Sequence, residues 1–258
     1  MKIFVLVKEV PDTYGDRTLS LATGLAERGA SDAVLDEITE RALEVALVTA
    51  AANPGSEVVA VSMAPETATA SVRRALAIGA DSAVHIADEA LRGADLGVTA
   101  KVLAAAIRRG APDLVITGNL STDGSGGVLP AMLAEHLGFA QVTALSAVQV
   151  SADAVTGTRA TDFGAQEASA PLPAVISITE ALPDARFPNF KGIMAAKKKP
   201  LEVLSLADLD VDIDPAVAPQ AILTAVAEKP ARAAGVKITD EGDAGTQLVE
   251  FLVQNRLV

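Results

Sequence analysis

The chain contains no cysteine and no tryptophan. Without cysteine there is no disulfide framework, no thiolate zinc site and no cysteine-ligated iron–sulfur cluster. With one tyrosine and aromatics at 3 % of 258 residues, the core has to be built from Ala, Val, Leu and Ile. Histidine is scarce too, and His85 and His136 are too far apart for metal-ligand spacing. Long apolar runs are missing. None approaches the roughly 20 residues that span a bilayer, and residues 3–7 are closed by Lys8 and Glu9, too short for a signal-peptide core. A cytoplasmic protein without membrane insertion is the expectation. Positive charge is in deficit, 21 Lys and Arg against 33 Asp and Glu, for a net charge of −12. That balance opposes a nucleic-acid partner, which needs clustered cations to neutralise phosphates.

What is present is hydrophobic: half of the residues, enough for a sizeable core and too many for a disordered chain. The length suits one large α/β domain or two small ones. Short apolar runs at residues 3–7 (IFVLV), 58–62 (VVAVS), 83–86, 113–117 (DLVIT) and 174–178 (AVISI) read as strands. Continuous apolar runs, rather than strict alternation, suit parallel strands covered on both faces. Helical spacing fills the gaps at residues 36–52, 66–78, 97–109 and 126–137, with Gly79 and Gly138 as stop signals. This alternation predicts a doubly wound, mainly parallel sheet. Residues 142–150 and 155–160 predict an attached β-hairpin, and residues 246–257 regain helical spacing. The chain divides into an α/β domain, residues 1–200, and an extended C-terminal arm, residues 201–258, with too little core to stand alone.

Three segments could carry chemistry. The first runs Gly118, Asn119, Leu120, Ser121, Thr122, Asp123, Gly124, Ser125, Gly126, Gly127, after a predicted strand and before a predicted helix. Glycines allow close backbone approach to an anion, the helix start supplies N–H donors, and Ser121, Thr122 and Ser125 supply hydroxyls. The spacing is neither GxGxxG nor a Walker loop. An ordinary strand–helix turn capped by Asp123 or Ser125 fits the same pattern. The second segment is Asp36 and Glu37, whose charges suit a helix start and a capping role. Arg73 and Arg74, on a predicted helix, read as solvated. The third is residues 186–199, where Arg186, Lys191, Lys197, Lys198 and Lys199 surround Phe187, Phe190, Ile193 and Met194. Apolar side chains rimmed by charge suggest a partner-docking loop, unless the two Phe residues belong to the core. No catalytic triad, Cys–His pair or HExxH motif is present.

Taken together, VLVKEVPDT (residues 5–13), AVLDEITERALEVAL (33–47), RRALAIGADSAVH (73–85), DLVITGNLSTDGSGGVLPAMLAEHLG (113–138), LPAVISITEALPDARFPNFKGIMAAKKKP (172–200) and AGVKITDEG (234–242) span nearly the whole chain in order. With these segments the chain resembles the β subunit of electron transfer flavoproteins, in its actinobacterial, FixA-like branch. A universal-stress-type nucleotide sensor shares the architecture but has no use for the IMAAKKK loop or the AGVK tail. The resemblance implies an adenine nucleotide alpha hydrolase-like fold and a heterodimer with an α subunit that holds most of one FAD. It implies AMP in this subunit or, in electron-bifurcating relatives, a second FAD. It implies an electron carrier, not an enzyme with its own substrate, between flavoprotein dehydrogenases such as acyl-CoA dehydrogenases and a membrane quinone oxidoreductase. By position, the nucleotide would be enclosed by Leu6; by Ala33, Val34, Leu35 and Asp36; by Met63; and by the loop from Gly118 through Val128 and Leu129. Gly126 and Gly127 replace polar family side chains, so phosphate contact would rest on backbone amides. Phe190 aligns with the apolar anchor that enters a partner dehydrogenase, flanked by Arg186, Phe187 and Met194. Thr13, next to Tyr14, and Leu35 align with positions approaching the α subunit's flavin, and the arm would pack on that subunit.

Overall fold

The computed structural model describes residues 1–15, 17–211, 221–232, 234–235 and 237–258. Part of the arm, including residues 212–220, lies outside the described residues. In chain order the elements are β1 (Lys2–Leu6), β2 (Glu9–Pro11), β3 (Ala33–Leu35), α1 (Glu37–Ala52), β4 (Glu57–Met63), α2 (Thr69–Ile78), β5 (Ser82–Ile86) and α3 (Leu96–Gly110). Next come β6 (Leu114–Gly118), α4 (Leu129–Leu137), β7 (Ala140–Val150), β8 (Ala154–Thr161), β9 (Gly164–Pro171), β10 (Ala174–Ile178), α5 (Phe190–Ala196), β11 (Leu201–Leu204) and α6 (Ala244–Gln254).

Among the described residues, nine strands form one sheet in the order β11-β5-β4-β1-β6-β10-β7-β8-β9. The seven strands from β11 to β7 are parallel, and β8 and β9 run antiparallel at one edge. The continuous apolar runs have a direct cause. Along β1, Ile3 and Val5 enter a core against α1 and α2, while Phe4 and Leu6 enter a second core against α3 and α4. Both faces are therefore dry. Each fully buried Leu or Ile contributes about 1.5–3 kcal/mol. Gly138 ends α4 in the left-handed conformation, with φ of 70°. The expected α/β architecture is present.

Several boundaries move. The helix expected from residue 126 starts at Leu129, because Pro130 suits the first turn while Ser125 and Gly127 hold positive φ. The predicted hairpin gains a third strand, β9, whose GAQEASAP sequence has little β-branched character. Residues 66–78 divide into a 3-10 turn, Glu66–Ala68, and α2. Leu201–Leu204, at the start of the segment assigned to the arm, pair with β5 as the other edge strand.

The chain divides into two compact units, Met1–Thr224 and Ala225–Val258. Within the second, α6 exposes Leu248, Val249, Phe251 and Val253 and buries no residue. No helix among the described residues is long and apolar enough to cross a membrane.

Candidate nucleotide site and docking surface

The chain leaves β1 for β4 and β5 on one side, then returns through α3 to β6 on the other. Strand order thus reverses at β1, and open α/β sheets bind ligands outside the carboxyl ends of strands at such a point. Leu6, Met63 and Gly118 end the three strands there. The β2–β3 ribbon brings Ala33, Val34, Leu35 and Asp36 to the same end, since the Asp36 amide donates to the Lys8 carbonyl at 2.9 Å. The loop after β6 completes the set. The structure therefore gathers the four segments named from the sequence.

The loop is held from within and from outside. The Ser121 carbonyl accepts the Ser125 amide at 3.0 Å and the Ser125 hydroxyl at 3.2 Å. The Asn119 side chain accepts the Leu120 amide at 2.9 Å. Asp36 Oδ2 accepts the Thr122 amide at 2.9 Å. Lys8 Nζ donates to Asp123 Oδ1 at 2.7 Å and to Ser121 Oγ at 3.2 Å. Arg28 Nη2 reaches Asp123 Oδ2 at 3.0 Å, and the Arg17 guanidinium donates to the Thr122 carbonyl. Lys8, Arg17 and Arg28 were not among the residues selected from the sequence. They lie about a hundred positions from the loop they hold, and no local pattern marks such a contact.

The Asp36 side chain corrects its expected role. It occupies the N-cap position of α1 but makes no cap hydrogen bond, because it reaches across to Thr122. Asp36 is 1 % exposed, and both its Oδ1 and the Thr122 hydroxyl lack a hydrogen-bond partner. Burial pushes the Asp36 carboxyl above its usual range, helped by the charge of Asp123 and opposed by Thr122. Asp123 shows the opposite result. Burial would raise it, yet hydrogen bonds from Lys8 and Ser121 and the Lys8 charge outweigh burial and hold it well below the carboxylate range.

A group whose folded pKa is raised binds its proton more tightly in the folded chain than in the unfolded one. Ionised Asp36 therefore costs stability, and the cost grows as pH rises from 3.8 through the raised value. Asp36→Asn keeps an acceptor for the Thr122 amide and removes the charge. We expect it to melt about 2–4 °C above the native chain at pH 7, the response of a chain this size to ~1 kcal/mol. The gain should shrink as pH falls toward 4. A thermal scan at pH 7 showing a lower midpoint would refute this account of Asp36.

The amides of Gly126, Gly127 and Val128 make no hydrogen bond among the described residues, and Val128 offers no side-chain cap to α4. Ser125 and Gly127, at φ of 50° and 67°, bracket Gly126, the alternation of backbone handedness from which anion-binding turns are built. Asp123, the nearest acid in the loop, is already engaged by two cations. The donors suit a phosphate group, and it is backbone that supplies them.

The second candidate surface is α5 with the segment before it. Phe187 and Phe190 are 87 % and 79 % exposed, so neither belongs to the core, and Ile193 and Met194 are about half exposed. The five cations expected there divide into two kinds. Arg186 grips Glu44 through Nε at 2.8 Å and Nη2 at 2.7 Å, and this pairing pulls the Glu44 carboxyl down. Lys199 Nζ donates to the carbonyls of Leu76, Gly79 and Ala80, where α2 ends. Lys191, Lys197 and Lys198 stay exposed. Arg73 and Arg74, expected to be solvated, are both engaged. Arg73 donates to the Ala196 and Lys199 carbonyls, and Arg74 pairs with Glu40. Asn189 caps α5 by accepting the Gly192 amide at 2.8 Å. A Cβ on Gly192 would lie 2.6 Å from the Ala77 carbonyl oxygen, so α5 rests directly on the α2 backbone.

The electron transfer flavoprotein domain family matches residues 23–209. The electron transfer flavoprotein β subunits of Mycobacterium leprae and Mycobacterium tuberculosis (strain H37Rv) are each 46 % identical to the chain, over 264 and 263 residues that cover 99 % of both partners in each comparison. The caffeyl-CoA reductase-Etf complex subunit CarD of Acetobacterium woodii is 31 % identical, covering 81 % of this chain and 80 % of that one.

Proposed function

The chain belongs to the electron transfer flavoprotein family as a β subunit, and from this premise we propose that it works with an α subunit as a carrier holding AMP in its own switch-point crevice. The free amides of residues 126–128 beside a neutralised Asp123 carry the nucleotide reading. They offer an adenylate phosphate donors with no opposing charge, while Leu6 and Met63 border the crevice where a base would lie. A flavin, held mainly by the α subunit, supplies the reversible electron chemistry. This chain's residues position and shield it. Thr13 and Tyr14 are exposed and open to that contact, whereas Leu35 is buried.

Electrons would come from flavoprotein dehydrogenases such as acyl-CoA dehydrogenases and pass to a membrane quinone oxidoreductase, in the cytoplasm and without insertion into the bilayer. The α5 surface is the docking element, with Phe190 as anchor, Phe187, Ile193 and Met194 around it, and Arg186 holding the approach segment to α1 through Glu44. The exposed apolar side chains of α6 suit packing of the arm on the α subunit. The likeness to CarD favours one alternative, a bifurcating complex with a second FAD in place of AMP.

The deciding experiment is to purify the chain with its α subunit, release the bound nucleotides and count them. One FAD and one AMP per heterodimer is the expected result. Two FAD and no AMP would replace the carrier reading with bifurcation.

A further inference from the structure

We propose that residues 17–32 form a strap over the phosphate loop, and that Arg28 couples closure of this strap to occupancy of the site. The proposal rests on the adenylate reading above. The strap hangs from the β2–β3 ribbon, where Pro11 pairs with Ala33 and the Asp12 amide donates to the Asp32 carbonyl at 2.8 Å. It has internal order of its own. Leu19 bridges Ala26, the Ser20 amide donates to the Leu25 carbonyl at 2.9 Å, and the Thr18 hydroxyl meets Glu27 at 3.1 Å. Yet nearly all of it is exposed and none of its residues is buried. Two guanidinium contacts tie it to the loop, Arg17 on the Thr122 carbonyl and Arg28 on Asp123. The guanidinium side of each contact is exposed, and an element with none of its residues buried opens at low cost.

The charges give the strap something to sense. Lys8, Arg17 and Arg28 converge on a loop whose one carboxylate is Asp123, with Asp36 buried behind it. Three cations therefore meet a loop with one carboxylate of its own, on a chain of net charge −12. A phosphate on the free amides of residues 126–128 adds a second anion to the same loop. Arg28 then faces a loop with two negative groups where it had one. Binding and closure strengthen each other, and by linkage a loosened strap weakens retention.

The test uses the αβ complex with carbon-14-labelled AMP in the site, chased by excess unlabelled AMP. Arg28→Ala should release the label about tenfold faster than the native complex, and Arg28→Lys, which keeps the charge, should recover most of the difference. Salt should speed release from the native complex more than from Arg28→Ala, because the screened contact is already absent there. Arg17→Ala, made in parallel, should release faster as well. Equal release from native and Arg28→Ala complexes would overturn the strap while leaving the adenylate reading intact. A native complex that holds no AMP would overturn both.

Discussion

Phe190→Ala is expected to slow electron uptake from a partner dehydrogenase by about thirtyfold in kcat/KM. An interface anchor is worth about 2 kcal/mol or more when truncated, and each 1.4 kcal/mol is a factor of ten. Phe190 fits that role on geometry alone. It is 79 % exposed on a helix capped by Asn189 and seated on α2, and Phe187, just before that helix, is exposed as well. The ring costs the free chain exposed apolar surface and contributes nothing to its core. Alanine leaves the Asn189 cap and the α2 contact in place, so folding and bound flavin should be unchanged. Stopped-flow reduction of the complex, followed by its flavin absorbance, checks both points. A rate within twofold of native would remove Phe190 from the docking surface.

Gly126→Glu should empty the nucleotide site, taking AMP from one per complex to under a tenth. A Cβ at Gly126 would lie 3.3 Å from Leu96 Cδ1, so the end of that leucine side chain has to give a little to admit it. A carboxylate carried on residue 126 itself puts an internal anion beside the free amides of residues 126–128, competing for the donors and repelling the phosphate. Gly126→Ala adds the crowding without the charge and should keep most of the AMP. The contrast between the two variants isolates electrostatics from packing. Nucleotide extraction and chromatography provide the measurement, with flavin content as the control for folding. Full AMP occupancy in Gly126→Glu would place the phosphate elsewhere.

The sheet was legible because burial on two faces leaves an unmistakable mark. IFVLV has no polar residue, LVIT and AVISI have one each, the buried Thr117 and Ser177, and each run lies on a central strand. The edges were harder to read. β9 is largely exposed and rich in Ala, and the three-residue strands of the β2–β3 ribbon are too short for any periodicity to show. The Gly-rich loop announced itself by composition, but its framework did not. Asp36 reads as a helix cap until the fold brings Thr122 within 2.9 Å, and Lys8 reads as the end of a strand until Asp123 arrives from 115 residues away. Arg186 and Lys199 misled in the other direction. They look like surface charge in a basic stretch, and a carboxylate on α1 and the open carbonyls of α2 absorb them. Long-range polar partners leave no periodic trace, so such pairings appear only once the chain has folded.

The seating of Gly192 on Ala77 and the Lys199 ammonium over three carbonyls have a kinetic consequence. They fix the backbone of α5 before any partner arrives. A floppy segment would lose backbone freedom at each encounter, a penalty of about 1–2 kcal/mol for every residue ordered. A helix already seated avoids that loss, so a small contact can be specific without being long-lived. If α5 docks the partner dehydrogenases as proposed, stiffness in this helix favours quick turnover.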